Sequence, residues 1–306
     1  MMLPRVFLTI MILVVGITTP QTAAGQGMEG IDPTVCAASS ADDGSAISTP
    51  VADLTSGLPA GMALRLLAEG TVNQLPRQNL VLVVRAVTVQ PGAASEVDRT
   101  RGALLYVVTA GVADIAINGT PETYVAGSSV LVAPDQFYGL INPGDEPVAL
   151  LRLSIEPSGQ ETEVSVGDPL SVTHEDGEVD AVSPERIVSR VVMRAEVGRL
   201  PEGTVRLFLG CMAWEDPGAD SGELRQPSSV GLVVLKGQLR LGESDVINAG
   251  RCLQFRPQAA HRLQSGTPPP MLLIFGAIPS GQHLWMSSDP VSGQAAIPVP
   301  RCGDQH

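Results

Sequence analysis

Residues that could carry catalysis or bind a metal are few in this chain. It has four histidines and four cysteines in 306 residues, and the cysteines lack the C-x-x-C spacing of a zinc knuckle or a thioredoxin-type pair. His174 lies in an acidic stretch, THEDGEVD, which could chelate a cation or could simply be a solvated linker. His283 and His306 belong to no recognisable constellation. The sequence also lacks a nucleophilic-serine motif, a phosphate-binding loop and a zinc-protease motif.

Composition narrows the class of protein further. The chain has 32 acidic and 19 basic residues and a net charge of -13, which argues against a nucleic-acid binder because such proteins need a cationic face. Hydrophobic residues make up 44% of the chain but aromatic residues only 3%, so we expect an aliphatic core. The 32 glycines and 25 prolines provide many turns. This combination favours an all-β protein.

The first residues have the pattern of a secretory signal. A short basic start precedes an apolar run over 6–17 and small residues near 22–25. The run is shorter than the roughly 20 residues of a membrane span. We therefore predict a signal peptide over 1–25, a flexible segment over 26–56 and a secreted, extracytoplasmic protein that is not transmembrane after cleavage. An uncleaved N-terminal anchor is the alternative.

The rest of the chain is an internal repeat. LLYVVTAG at 104–111 parallels VGLVVLKG at 230–237, and VAGSSVLVAP at 125–134 parallels NAGRCLQFRP at 248–257. Both copies consist of short Val/Leu/Ile-rich segments separated by turn residues, which is typical of antiparallel sandwiches or barrels. The predicted units are barrel 1 at 57–156, an acidic linker at 157–183, barrel 2 at 184–290 and a tail at 291–306.

Strand alternation predicts which side chains point inward. Residues two apart on a strand face the same way, so Asp98 and Thr100 should face one interior while Arg99 and Arg101 face outward. Asn118-Gly119 is a typical two-residue hairpin turn. With Thr120 it also fits the N-glycosylation pattern, although a plain turn is sufficient.

The spacing of glycines and prolines resembles that of the cupin superfamily, specifically a two-domain bicupin. That family's first motif is G-x5-H-x-H-x3-E-x6-G, and its second centres on G…P…H…N. In this chain the resemblance rests on the glycines, prolines and polar residues Gly92, Gly111, Gly127, Pro134 and Asn142 in one unit and Gly218, Gly237, Gly250, Pro257 and His261 in the other. It implies two tandem double-stranded β-helix (jelly-roll) barrels and covers most of the chain after the signal.

The residues that hold the family's metal are mostly replaced. The family uses two histidines, a glutamate and a third histidine. The matching positions here are Asp98, Thr100, Leu104 and Tyr138 in the first unit and Leu224, Gln226, Val230 and His261 in the second. A transition metal needs three or more converging N, O or S ligands. We therefore predict no metal site and no cofactor in either barrel.

The remaining polar residues are ligand-pocket candidates: Asp98, Thr100, Tyr138, Gln226 and His261. His261 could act as a general base, or it could be a hydrogen-bonded remnant. Asp98 and Tyr138 could bind a polar ligand, with Tyr138 donating to an oxyanion, or Asp98 could lie on a solvated strand edge. No catalytic residue is assigned.

Two functions remain open. The first is a secreted, metal-free bicupin that acts as a small-ligand-binding or structural module, with self-association possible. The alternative is an exported metal-dependent cupin enzyme, of the dioxygenase, oxalate-degrading or isomerase type, with a non-standard site.

The cysteine pairing is predicted from position along the chain. Export favours disulfides, and four cysteines allow three pairings. Cys211 and Cys252 lie on strands near the same end of the second unit, and Cys36 and Cys302 lie near the two chain ends. We expect Cys211–Cys252 and Cys36–Cys302, with buried free thiols as the alternative.

Overall fold

The structure is a computed structural model. It describes residues 31, 34–37, 54, 58–59, 61–73, 75, 79–158, 163–169, 172–173, 179–180, 186–198, 200, 203–243, 245–287 and 297–298. The predicted signal peptide, most of the flexible segment, much of the acidic linker and most of the tail lie outside these residues. No helix in the described ranges is long and apolar enough to cross a membrane.

The described chain contains one short helix and is otherwise built of strands. In chain order the elements are α1 (Thr34–Ala37), β1 (Met62–Val72), β2 (Leu80–Val89), β3 (Glu96–Thr100), β4 (Leu104–Ala110), β5 (Val112–Ile117), β6 (Thr120–Val125), β7 (Ser129–Val132), β8 (Phe137–Ile141), β9 (Val148–Pro157), β10 (Glu163–Pro169), β11 (Val172–Thr173), β12 (Val179–Asp180), β13 (Ile187–Gly198), β14 (Val205–Trp214), β15 (Asp220–Arg225), β16 (Val230–Lys236), β17 (Gln238–Leu241), β18 (Asp245–Asn248), β19 (Cys252–Phe255), β20 (His261–Ser265), β21 (Met271–Pro279), β22 (Met286–Ser287) and β23 (Ile297–Pro298).

Apart from β11 and β12, which pair only with each other, the described strands form two barrels, each made of two antiparallel sheets. In the first barrel the sheet orders are β13-β2-β9-β4-β7 and β10-β3-β8-β5-β6. In the second they are β1-β14-β21-β16-β19-β23 and β18-β17-β20-β15-β22. The predicted all-β fold with two tandem β-barrels is confirmed.

The first long strand of each predicted unit pairs in the other barrel. β1 lies beside β14 in the second barrel, with Met62 opposite Trp214. β13 lies beside β2 in the first barrel, with Ile187 opposite Val89. Strand pairing thus crosses the domain bounds expected from the repeat in both directions, and it ties the two barrels together.

Backbone register confirms the equivalence of the two repeats. Asp98 lies opposite Tyr138 on β3 and β8, and Leu224 lies opposite His261 on β15 and β20. These are the same pairs of motif positions that the sequence repeat aligns. The Asn118-Gly119 turn also forms as predicted, with positive φ of 51° and 83° and Ile117 paired to Thr120.

Apolar side chains form three clusters. One lies between the barrels and joins residues such as Leu153 on β9 and Phe275 on β21. A second fills the second barrel and includes Phe208 and Phe255. The third lies inside the first barrel and includes Leu150 and Tyr106. Successive residues on β4 and β9 therefore alternate between the barrel interior and the face that packs on the other barrel.

The disulfide prediction is wrong in its pairing. Cys36 is bonded to Cys211, with Cα atoms 5.4 Å apart. Cys252 is also disulfide-bonded, so the free-thiol alternative fails for all three of these residues. Because Cys36 is bonded to Cys211, neither Cys211–Cys252 nor Cys36–Cys302 exists.

The reason is the distance across one sheet. Cys211 lies opposite Leu273, Leu273 opposite Val233, and Val233 opposite Cys252. Three strand spacings separate Cys211 from Cys252 by about 14 Å, well beyond the roughly 7 Å between Cα atoms that a disulfide allows. Helix α1 instead reaches Cys211, where Arg65 donates a 2.7 Å hydrogen bond to the carbonyl of Val35.

Candidate functional site

The predicted positions of the first barrel face its interior as expected. Tyr138 is 3% exposed and packs in the core of the first barrel, so its direct partner Asp98 faces the same way. Thr100 is fully buried. Arg99, between them, is exposed and forms an ion pair of 2.9 Å with Asp135. The alternation predicted for this strand is confirmed.

Thr100 already uses its hydroxyl within the protein. Its Oγ1 donates a 2.5 Å hydrogen bond to the carbonyl of Gly102, two residues along the chain. The side chain thus stabilises the turn after β3. We therefore assign Thr100 a structural role and leave Asp98 and Tyr138 as the polar groups of this wall.

The other sheet of the first barrel, which contains β2, β9 and β4, carries inward-facing polar residues that the sequence reasoning missed. Arg85 on β2 lies directly opposite Arg152 on β9, and Arg152 lies directly opposite Tyr106 on β4. Residues two positions away on these strands, such as Val87 and Leu150, belong to the interior cluster, so the row faces the barrel interior. Arg152 is 8% exposed and Tyr106 fully buried.

The two tyrosines bring the walls together. The ring centroids of Tyr106 and Tyr138 are 6.0 Å apart with planes inclined at 50°, a favourable tilted arrangement. Through this ring contact, the neighbouring residues Arg85, Arg152 and Tyr106 on one sheet are connected to Tyr138 and Asp98 on the other sheet. We call this group the first cup: Arg85, Asp98, Tyr106, Tyr138 and Arg152. All five have interaction partners in the protein.

A second polar pair lies further along the same wall. Ser154 Oγ donates a 2.5 Å hydrogen bond to Glu156 Oε1, and both residues are nearly or fully buried. Buried charges need such partners because desolvation is costly. Both residues follow Arg152 on β9, towards the end of that strand.

A weak signal for these arginines exists in the sequence. Arg85 is the only charged residue in LVLVVRAVTV, and Arg152 the only one in VALLRLSI. A strand that is apolar on both faces is buried on both, so a lone cation within it must point into an interior. The family motifs do not include these positions, and motif comparison therefore passes over them.

In the second barrel His261 is held by two hydrogen bonds. Its Nδ1 lies 3.1 Å from the carbonyl oxygen of Ala259, which can only accept, so Nδ1 carries the proton. Nε2 then accepts from the side-chain amide of Gln226 at 2.8 Å. Burial lowers the pKa of His261 to about 4, against the opposing influence of the Ala259 carbonyl and of Glu223. The ring is therefore neutral near pH 7.

Aromatic side chains fill the space around His261. Phe255 stacks on the imidazole with centroids 4.0 Å apart, and Trp285 lies 6.3 Å away. Gln226, His261 and Trp285 are each at most 5% exposed. Within the described part of the chain, Gln226 Oε1 and Trp285 Nε1 have no hydrogen-bond partner. We call these four residues the second cup: Gln226, Phe255, His261 and Trp285.

The metal that the cupin resemblance implies does not fit either cup. In the second, the Nε2 lone pair of His261 accepts from Gln226, and the other two motif positions are the buried residues Leu224 and Val230. In the first, Thr100 is bonded to its own turn and Leu104 has no ligand atom. No group of three His, Cys, Asp or Glu suited to a metal occurs among the described residues.

One comparison with known proteins identifies a family for part of the chain. Residues 85–156 match the model of the family described as Cupin domain. No curated protein showed significant sequence similarity to the chain. Among solved structures, oxalate decarboxylase from Bacillus subtilis is 16% identical, with 74% of each chain covered and a TM-score of 0.41.

Two further solved structures are similarly distant. AerE from Microcystis aeruginosa is 12% identical, covers 72% of this chain and 98% of its own, and has a TM-score of 0.40. Salicylate 1,2-dioxygenase from Pseudaminobacter salicylatoxidans is 12% identical, covers 63% and 70%, and has a TM-score of 0.36. At this distance these likenesses carry no argument about activity.

The family match covers only part of the chain. Residues 85–156, which match the cupin-domain model, extend from β2 to β9 in the first barrel. The second barrel repeats the register of the first.

Proposed function

We propose that this protein is a secreted bicupin that binds a small organic molecule in the first cup without a metal, while the second barrel is a packed structural unit. The single observation that carries the proposal is the contrast between the two interiors. The first cup brings two arginines, an aspartate and two tyrosines together inside a barrel. Apolar walls with a few converging polar groups are typical of small-molecule sites.

The second cup supports a structural role. His261 is neutral, bonded at both ring nitrogens and stacked on Phe255. A general base needs a free lone pair that reaches its substrate, and Nε2 accepts from Gln226. We therefore assign His261 and Gln226 to the packing of the second barrel. The alternative function, a metal-dependent enzyme, relied on His261 and Gln226 and is therefore not favoured. Self-association stays a prediction.

Secretion is supported by two independent features. The sequence begins with the three-part pattern of a signal peptide. The disulfide between Cys36 and Cys211 belongs to an oxidising compartment, since such bonds are rare in the cytosol.

The test is to identify what the protein carries when purified. The mature chain and two variants, Tyr106→Leu and Trp285→Phe, are denatured, and the released small molecules are identified by mass spectrometry. We expect one organic compound per chain from the wild type and from Trp285→Phe, and a loss of at least about tenfold in Tyr106→Leu. Release from Tyr106→Leu but not from Trp285→Phe, or no release from the wild type, contradicts the proposal.

A further inference from the structure

We propose that the second cup holds one internal water molecule, which accepts a hydrogen bond from Trp285 Nε1 and donates one to Gln226 Oε1. The water completes a chain of hydrogen bonds that runs from Trp285 through Gln226 and His261 to the backbone. The site goes beyond the proposed function, because it lies in the second barrel and does not depend on a ligand in the first.

Two buried polar atoms of the second cup lack a partner within the described part of the chain. Gln226 is fully buried and Trp285 is 3% exposed. Neither Gln226 Oε1 nor Trp285 Nε1 forms a hydrogen bond with any residue that the structure describes. Native proteins pair nearly all such groups with protein or with ordered water, because leaving them unsatisfied is costly. One of the two atoms is an acceptor and the other a donor, so a single group that both donates and accepts satisfies both.

Strand register places the two side chains next to each other. Strand β15 lies between β20, which begins at His261, and β22. Arg225 lies opposite Met286, so the next pair in the same register is Gln226 with Trp285. The Cβ atoms of directly opposite residues are about 5 Å apart. Gln226 therefore has His261 on one side and Trp285 on the other.

The partner that Gln226 already has prevents a direct bond to Trp285. Its Nε2 donates to His261 Nε2 at 2.8 Å, and the carbonyl of Ala259 keeps the proton of the imidazole on Nδ1. The orientation of the amide is therefore set, and Oε1 is the end that remains. Turning Oε1 to the indole would break the bond to His261.

The surroundings of the two atoms favour water over a larger or charged ligand. Phe255 is fully buried and stacks on His261, and Leu224 is 3% exposed, so the site is enclosed by apolar side chains. His261 is neutral near pH 7, which leaves the second cup without a charge to pair with an ion. Internal waters typically make about 2–4 hydrogen bonds to buried polar groups, and the two atoms meet the lower end of that range.

In the completed chain every donor points in the same direction. Trp285 donates to the water, the water to Gln226, Gln226 to His261, and His261 to the carbonyl of Ala259. Hydrogen bonds arranged in this way polarise one another and strengthen the whole chain. The water thereby keeps the amide of Gln226 directed at His261, so the lone pair that a metal would need stays occupied.

Trp214 is a matched control within the same barrel. It is 4% exposed, and its Nε1 also lacks a hydrogen-bond partner among the described residues. Phe208, Gly276, Val230 and Phe255 are successive neighbours across one sheet, whereas Trp214 is further along β14, about 20 Å from Phe208. Trp214 therefore has a buried donor far from the Gln226 acceptor.

The experiment is nuclear magnetic resonance of the full mature chain with isotope-labelled tryptophan and histidine. The chain has two tryptophans, and Trp214→Phe and Trp285→Phe assign the two indole signals. We expect a nuclear Overhauser peak between the indole proton of Trp285 and a water that tumbles with the protein. The indole proton of Trp214 should give no such peak.

Substituting the acceptor tests the bridge. Gln226→Met keeps the length of the side chain but removes its polar atoms, and it should abolish the water peak of Trp285. Gln254→Met is the control, because Gln254 lies in the same barrel but donates to the carbonyl of Glu196. This control should leave the water peak unchanged.

A second measurement separates the hydrogen-bond chain from simple packing. Trp285→Phe keeps an aromatic ring but removes the donor to the water. It should move the nitrogen resonance of His261 Nε2 towards the value of an unbonded nitrogen, in the same direction as Gln226→Met but less far. Trp214→Phe should leave that resonance in place. A ring that only fills space would have no such effect on His261.

The wild-type spectrum decides the outcome even where a variant fails to fold, which thermal unfolding reveals. Absence of a water peak at Trp285, equal water peaks at both indoles, or an unchanged peak in Gln226→Met overturns the water site. Each of these results leaves the release of a compound from the first cup untouched, so the water site and the proposed function fail separately.

Discussion

The two barrels have the same backbone arrangement but differ in the side chains that face their interiors. Strand pairing equates three inward positions of the long sheet in each barrel, which are Arg85, Arg152 and Tyr106 in the first and Gly210, Ile274 and Leu232 in the second. The same equivalence places Ser154 opposite Leu104 and Gly276 opposite Val230. At these positions the first interior carries mostly charged and hydroxyl side chains, whereas the second carries only aliphatic side chains and glycines.

This difference separates the residues that form the fold from those that give function. Gly111 and Gly237 occupy the same turn with φ of 80° and 77°, a conformation that other residues adopt only with strain. Such positions persist in both repeats because the backbone requires them. The inward side chains are not constrained in this way, so one barrel can keep a binding interior while the other becomes a packed core.

The largest effect should come from placing a first-barrel charge in the second barrel. Ile274→Arg buries a cation in the aromatic and aliphatic interior, where burial of an unpaired charge is strongly unfavourable. We expect the free energy of unfolding to fall by more than about 4 kcal/mol, measured by urea denaturation. Val246→Arg, at a 44% exposed position of the same barrel, should change it by less than about 0.5 kcal/mol. Similar stability of the two variants would mean that the second interior tolerates charge.

Truncating the aromatic filling of the second cup should cost somewhat less. Phe255→Ala removes a fully buried ring that stacks on His261, and we expect a loss of about 3–4 kcal/mol in the free energy of unfolding. The comparison is Phe137→Ala, whose side chain is 40% exposed and for which the loss should stay below about 1 kcal/mol. Equal losses would show that the second cup is not a packed core.

Acidification should destabilise the second barrel through His261. Its pKa of about 4 in the folded protein lies below the unfolded value of about 6.5, so the unfolded state binds more protons between these values and stability falls as pH falls from 6.5 towards 4. Between pH 7 and pH 4.5 we expect the wild type to lose about 2 kcal/mol more than His261→Leu. Exposed His283 serves as the control, and His283→Gln should behave like the wild type. An identical pH profile for His261→Leu would refute the buried neutral imidazole.

The smallest effect should come from metals. Because neither cup presents three suitable ligands, manganese, iron or zinc added to chelator-treated protein should shift Tm by less than about 1 °C, since only a ligand of the folded state stabilises it. Stoichiometric metal in protein purified without chelators, lost on His261→Ala, would restore the metalloenzyme alternative.

The sequence predicted the barrels and the motif positions because both follow from local patterns. Repeated turn glycines set the register, and alternation correctly placed Asp98 inward and Arg99 outward. The exchange of β1 and β13 between barrels could not be predicted, since a strand's partner depends on the tertiary path rather than on its own residues.

The disulfides and the arginines were missed for physical reasons as well. Cys211 and Cys252 lie on the same row of one sheet, but the number of intervening strands is invisible in a linear chain. Arg85 and Arg152 are about 70 residues apart in sequence and meet only through the pairing of β2 with β9. Long-range pairing creates the first cup, so only the fold reveals it.

The most direct test of the central claim is a crystal structure of the mature protein as purified. We predict density for one small organic molecule per chain in contact with the first cup, and a second cup filled by Trp285 and Phe255. Ligand density beside His261 with an empty first cup, or a metal coordinated by His261, would contradict the account.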